Sequence, residues 1–226
     1  KQQFDQALAW YWKNKKRFNR PTFVASQILG KKQLIYSNPQ IKKLRPFPHV
    51  IEKNILMENE YFKENLKNCT QSVHRNIIPL VEQNPAIKFD FVFTAYPTLS
   101  GQREKLYDRV RYITRLYIVK EFVTLMSPFP NVRVFSFGLE KFTDDLRLYK
   151  DSGHYHIAVN NYILEKISMN QNRLTMENLN NHLIQFDKKI SEYRLPEEWN
   201  PKNSKKISKK GKKLSMQKAK GFISMN

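Results

Sequence analysis

The stretches IKFDFVFTA at 87–95 and VRVFSF at 132–137 decide the fold. In the first, Ile87, Phe89, Phe91, Phe93 and Ala95 alternate with Lys88, Asp90, Val92 and Thr94. That period of two places one set of side chains on a core face and predicts a strand. The second stretch predicts a shorter strand. Between them, residues 104–126 repeat with helical period, with Leu106, Val110, Ile113, Tyr117 and Phe122 among the core candidates. Pro128 and Pro130 end that helix. Upstream, Phe62, Leu66, Cys69, Val73 and Ile77 form one stripe of an amphipathic helix. Pro79 is expected to kink or end it, and Asn84-Pro85 to stop the chain that follows. Downstream, 157–167 and 175–193 predict two more helices, the second with Thr175 as its N-cap.

The order helix, strand, helix, strand, helix predicts an α/β domain with a parallel sheet, because the long segments between strands can serve as crossovers. Chemistry in such sheets gathers outside the carboxyl ends of the strands. Two segments fall there: AYPTLSG after the first strand and SFGLEKFTDDLRLYKDSGHYH after the second. No glycine-rich phosphate loop is present, so a nucleotide-binding reading has no support. Outside this block, 4–18 (FDQALAWYWKNKKRF) predicts a short aromatic helix. Residues 21–29 lean towards β structure, and 31–54, with Pro39, Pro46 and Pro48, predict an irregular connection. The domain plan is therefore 1–54 as a helical and irregular N-terminal segment, 55–195 as the α/β domain and 196–226 as a disordered tail.

Composition narrows the function classes. The 226 residues carry 40 Lys+Arg against 20 Asp+Glu, a formal charge of +20. Nine of the lysines, from Lys202 to Lys220, lie beyond Asn200, where no acidic residue occurs. The body thus holds 31 basic and 20 acidic groups, a net of +11. The tail is expected to be disordered by its self-repulsion and low apolar content. It is either a solvated extension or an arm for an anionic partner, a nucleic acid or a membrane surface. The body lacks the interleaved basic and aromatic residues of a single-strand binder. Cys69 is the only cysteine, which excludes a disulfide scaffold. One Cys and five scattered His make no zinc-finger set. No metal or cofactor is implied.

The informative motif is DSGHYH, which places Asp151, His154 and His156 within six residues just before a helix. An Asp three residues before a His can accept the imidazole Nδ1 proton and leave Nε2 as a base. Gly153 lets the chain turn between them. His156 is the weaker partner, since an extended segment points it elsewhere. Judged by spacing alone, Asp-x-x-His is a common chance pattern, and a structural turn capping the next helix is the plainer reading.

Several spaced elements add to the motif. FVFTAYP, a long helix, PNVRVFSF, then LRLYKDSGHYHIAVNNYILEKI and LTMENLNNHL occur in this order. Together they resemble the C-terminal part of SGNH/GDSL hydrolase-superfamily proteins, in particular a bacterial subgroup linked to the cell envelope. The likeness spans about residues 87 to 193, and its most specific piece is Tyr149-Lys150-Asp151-Ser152-Gly153-His154-Tyr155 with Asn160 and Ile163 following. The resemblance implies a three-layer α/β/α flavodoxin-like domain. It also implies a serine esterase or O-acyltransferase acting on an ester of an envelope carbohydrate, in the periplasm or cell envelope. By that match His154 is the general base and Asp151 its orienting carboxylate. The matching nucleophile block is absent. Ser26, in FVASQILG, lacks its pattern, so the first strand and its Ser are expected upstream of Lys1. The chain departs from the subgroup at AYPTLS and at His156, where a Ser is commoner, and its oxyanion donors are not identifiable.

The competing functions are a non-catalytic binding or scaffold protein of the same fold and nucleic-acid binding through the basic tail. Other residues carry plainer readings. His74 and Cys69 sit on or beside the apolar stripe and read as packing residues. His49 and His182 have no companions in sequence. Asp144-Asp145 cap or turn, since two adjacent carboxylates fall short of a Ca²⁺ loop. Trp10, Tyr11 and Trp12 pack against the sheet or form a carbohydrate or interfacial platform.

Overall fold

The computed structural model describes residues 21–30 and 59–200. The 4–18 helix with Trp10, Tyr11 and Trp12, the 31–54 connection, His49 and the lysines of 202–220 lie outside the described residues. The elements are α1 (Pro21–Leu29), α2 (Glu60–Ser72), a π-turn (Val73–Ile77), α3 (Ile78–Gln83), β1 (Phe89–Phe93), α4 (Thr98–Tyr107) and α5 (Arg109–Met126). They continue with β2 (Val132–Ser136), α6 (Ile157–Ser168), β3 (Arg173–Leu174) and α7 (Leu179–Glu192). Among the described residues no helix is long and apolar enough to cross a membrane.

The alternation at 87–95 becomes β1, with Phe89, Phe91 and Phe93 half-buried between exposed Asp90 and Val92. Phe91 and Phe93 meet the Phe122 ring of α5 edge-on at 5.3 and 5.6 Å, a favoured aromatic geometry. β1 pairs in parallel with β2, Phe89 opposite Val132 through Phe93 opposite Ser136. The crossover expected between them is real but broken. Asp108, at φ −149° and ψ 65°, ends α4, and its carboxylate caps α5 by accepting the Arg111 N–H. One helix over 104–126 was the expectation; an Asp at this position competes for the backbone and favours a cap over a helix interior.

The sheet is mixed, where a wholly parallel one was expected. β3 adds antiparallel to β2, with Leu174 opposite Val134. Two asparagines in the left-handed region, Asn170 (φ 56°) and Asn172 (φ 62°), turn the chain back after α6. Asn is among the few side chains that adopt that region readily. Two residues of strand leave no alternation to read. Thr175 is not the N-cap of α7 either. Asn178 precedes the helix, and its side chain accepts the Thr175 N–H and donates to the Arg173 carbonyl.

Helices cover both faces of the sheet. On one, Phe62, Val73, Val81, Tyr112, Val123, Val132, Val134, Leu183 and Ile190 form the main core, with Leu66, Cys69 and Ile77 against it. The stripe along 62–77 therefore does face the core. The helix does not end at Pro79; the wide π-turn just before it accommodates a residue that cannot donate to the ladder. It ends at Asn84, as Asn84-Pro85 predicts. On the other face, Val159 and Ile163 of α6 pack on Ala95, Phe135 and Phe137. A third cluster joins Val24, Ala25, Ile28 and Leu29 of α1 to Leu99, Leu146, Tyr149 and Leu195. This corrects the β-leaning reading of 21–29: those four residues share one helical face, and its burial overrides β propensity. Glu197–Trp199 forms a short 3₁₀ turn whose Trp199 also packs on this cluster, so the segment from 196 begins in ordered structure.

Candidate active site

The Asp151 loop is closed at its base by a bridge between Tyr149 and Tyr155. The Lys150 N–H donates to the His154 carbonyl, and the His156 N–H to the Leu148 carbonyl, both at 2.7 Å. The buried Tyr149 hydroxyl donates to the Ala95 carbonyl at 2.7 Å. That bond ties the loop to the chain leaving the carboxyl end of β1. Burial, reinforced by nearby Tyr155 and Asp144, raises the Tyr149 pKa and keeps this donor protonated.

Within the loop, Asp151 and His154 are paired. The imidazole Nδ1 lies 2.8 Å from Oδ1 and 2.9 Å from Oδ2 of Asp151. Oδ1 also accepts the backbone N–H groups of Gly153 and His154, each at 2.9 Å. Partial burial alone would raise the Asp151 pKa, but the Gly153 N–H, the His154 ring and the His154 N–H together hold it below the usual value. A carboxylate accepting from Nδ1–H fixes the tautomer with Nε2 unprotonated. The His154 side chain is 80% exposed, and Asp151 is 26% exposed. No hydrogen bond joins a serine hydroxyl to His154 among the described residues. Ser26 sits within α1 and donates to the Phe23 carbonyl, and so does not occupy the strand-end position a nucleophile needs.

His156 is the N-cap of α6: its Nδ1 accepts the Ala158 N–H at 3.2 Å. Of the two histidines in the motif, one is paired with the carboxylate and the other holds a helix end. The adjacent carboxylates are also divided. Asp144 accepts from Thr98 Oγ1 at 2.6 Å and faces Lys189 at 3.3 Å. Asp145 binds the Arg147 guanidinium and caps the short turn Leu146–Leu148. Cys69 is half-buried, and burial, then the Glu121 charge, raises its thiol pKa.

Two groupings escaped the sequence. The first is Ser136, at the carboxyl end of β2, whose Oγ lies 3.0 Å from Nε2 of His182 on α7. Both line an apolar cavity of about 310 Å³ with Thr94, Tyr96, Arg115 and Phe186. Ser136 stands at a strand end, the one position the fold class marks; His182 shares the helical face of Leu179, Leu183 and Phe186. Burial drives the His182 pKa down from 6.5 to about 4. The unfolded chain thus binds a proton near pH 6.5 that the folded chain refuses until about pH 4. Stability from this group is full above 6.5 and is lost on acidification, by about 2–3 kcal/mol at pH 4.5. His182→Asn should shrink the difference in unfolding free energy between pH 7.5 and 4.5, read from urea titrations, by that amount; an unchanged difference contradicts this.

The second grouping is a cavity of about 440 Å³ on the other side of Tyr96. Its wall includes Arg103, Arg111, Arg115, Glu104, Tyr96 and Ser152, the last lying between Asp151 and Gly153. Gly153 itself lies against Tyr96: a Cβ there would stand 3.8 Å from the ring.

Comparison of the chain with protein-family models, with curated proteins and with solved structures finds no match.

Proposed function

We propose that the chain carries the acid–base half of a Ser-His-Asp acyl-transfer site on a flavodoxin-like, three-layer scaffold of SGNH type. Its activity on this reading is that of an esterase or O-acyltransferase on an ester of a cell-envelope carbohydrate. The observation that carries the reading is the Asp151 carboxylate on Nδ1 of His154, with Nε2 turned to solvent in a loop tied to the carboxyl end of β1. Parallel pairing of β1 and β2 and helices on both sheet faces support the scaffold.

The nucleophilic serine comes from outside the described residues. His154 Nε2 takes the proton from its hydroxyl as Oγ attacks the ester carbonyl. The imidazolium so formed faces Asp151, which stabilises it. It then returns the proton to the departing alkoxide, leaving an acyl-serine. Water gives hydrolysis and a sugar hydroxyl gives transfer, each activated by the same Nε2.

A fluorophosphonate probe tests this on the whole gene product. It should label one serine, and His154→Ala should nearly abolish that labelling. A wild-type protein that takes no label, or a His154→Ala protein that labels equally, rejects the triad and favours a non-catalytic binding protein.

A further inference from the structure

We infer that the arginine-lined cavity beside the Asp151–His154 loop is an oxyanion-binding subsite, so that the ester is carried on an anionic glycan bearing phosphate or carboxylate groups. The word ester rests on the function proposed above; the anion site does not.

Charge is the first argument. Among the described residues, Arg103, Arg111 and Arg115 line the cavity with one acidic side chain, Glu104. Glu104 accepts from Arg115 Nη1 at 2.6 Å and lies 3.7 Å from Arg111 Nε. One carboxylate against three guanidinium groups leaves two positive charges. Arg111 and Arg115 keep 56% and 41% of their side chains exposed, so the surplus charge is open to an anion arriving from solvent.

Hydrogen bonding is the second. The Arg103 Nε is buried and has no hydrogen-bond partner among the described residues, a state that native proteins keep rare. That Nε is shut off from the solvent of the cavity, so a ligand there would meet the terminal N–H groups of the arginines that line it. The planar guanidinium fork suits phosphate and carboxylate alike, two N–H groups to two oxygens. Arg115 is already held, its guanidinium 5.3 Å over the Tyr96 ring and its Nη1 on Glu104, so little freedom is lost when it binds. Ser100, Ser152 and Gln27 add neutral polar groups to the wall, as a sugar needs.

Position is the third. Tyr96 follows β1, where ligands gather in open α/β sheets, and Ser152 belongs to the catalytic loop. A volume of about 440 Å³ lies within the range of small-ligand sites. An anionic group there would lie next to the loop that carries His154, leaving the ester within the substrate's reach of Nε2.

Calorimetric titration of the whole chain at low ionic strength, with inorganic phosphate and separately with glucuronate, tests the site and distinguishes the two anions. At least one should bind saturably. Arg103→Gln with Arg115→Gln should weaken it about tenfold or more, and the more exposed Arg111→Gln alone by a smaller factor. His154→Ala, and Gln at all nine tail lysines, should leave it intact. Three results overturn the site: no saturable binding of either anion, binding that survives the arginine substitutions, or binding lost with the tail lysines. An oligonucleotide that binds through Arg103 while neither small anion does overturns the glycan assignment. Arginine-dependent anion binding in a protein whose serine takes no fluorophosphonate keeps the subsite and removes the ester.

Discussion

Asp187→Ala should destabilise the fold by about 3–5 kcal/mol, a large part of the 5–15 kcal/mol typical of a domain. Asp187 and Lys105 are both buried, with Oδ1 and Nζ 2.6 Å apart. Lys105 Nζ also donates to Ser191 Oγ at 2.7 Å, and the Tyr112 hydroxyl donates to Asp187 Oδ1 at 3.0 Å. The cluster joins α4, α5 and α7 at the point where they meet. Burial first, then the Asp187 charge, raises the Tyr112 pKa far above its ordinary value, so this hydroxyl stays a donor. Removing the carboxylate takes the counter-charge from 2.6 Å beside the buried Lys105 ammonium and takes an acceptor from Tyr112. Most of the cost is that lost counter-charge, so Lys105→Met combined with Asp187→Leu should cost clearly less than Asp187→Ala alone. Urea unfolding of the three proteins at neutral pH checks the order; a double variant as unstable as the single contradicts it.

That cluster shows where reading the sequence stops. Alternation over 89–95 and the stripe from Phe62 to Ile77 are local patterns that burial follows, whereas Ile87, assigned to the same face, lies before the strand and is exposed. Lys105 and Asp187 are 82 residues apart, and nothing local distinguishes them from solvated charges on a helix. The same holds for Ser136 with His182, and for the arginines that α4 and α5 bring to one cavity. Asp151 and His154 are the exception. Three residues of spacing with a glycine between them suffice for an Asx-type turn, so their pairing is visible before any fold is known. The misread elements have two causes: tertiary burial made 21–29 helical, and side-chain bonds to the backbone, the Asp108 cap on α5 and the Asn178 bonds to Thr175 and Arg173 ahead of α7, set helix ends that periodicity alone puts elsewhere.

Asp151→Asn should lower ester turnover by about four orders of magnitude, the loss that follows removal of the orienting carboxylate in Ser-His-Asp triads. An amide keeps the volume and can still accept from the Gly153 and His154 N–H groups. Its NH₂, however, can donate to Nδ1, which puts the proton on Nε2 and removes the base. It also leaves the imidazolium without a compensating charge. The effect is therefore on catalysis and not on the loop, whose Tyr149–Tyr155 bridge and Tyr149 bond to Ala95 do not involve the carboxylate. His154→Ala removes the proton acceptor altogether and should lose at least as much. His156→Ala costs only a helix cap, about 0.5–2 kcal/mol of stability, and should leave turnover in place.

The most direct measurement is p-nitrophenyl acetate turnover by the whole gene product, with these three variants side by side. The account predicts activity in the wild type and in His156→Ala, and none above background in His154→Ala. Turnover by His154→Ala at the wild-type rate would contradict it.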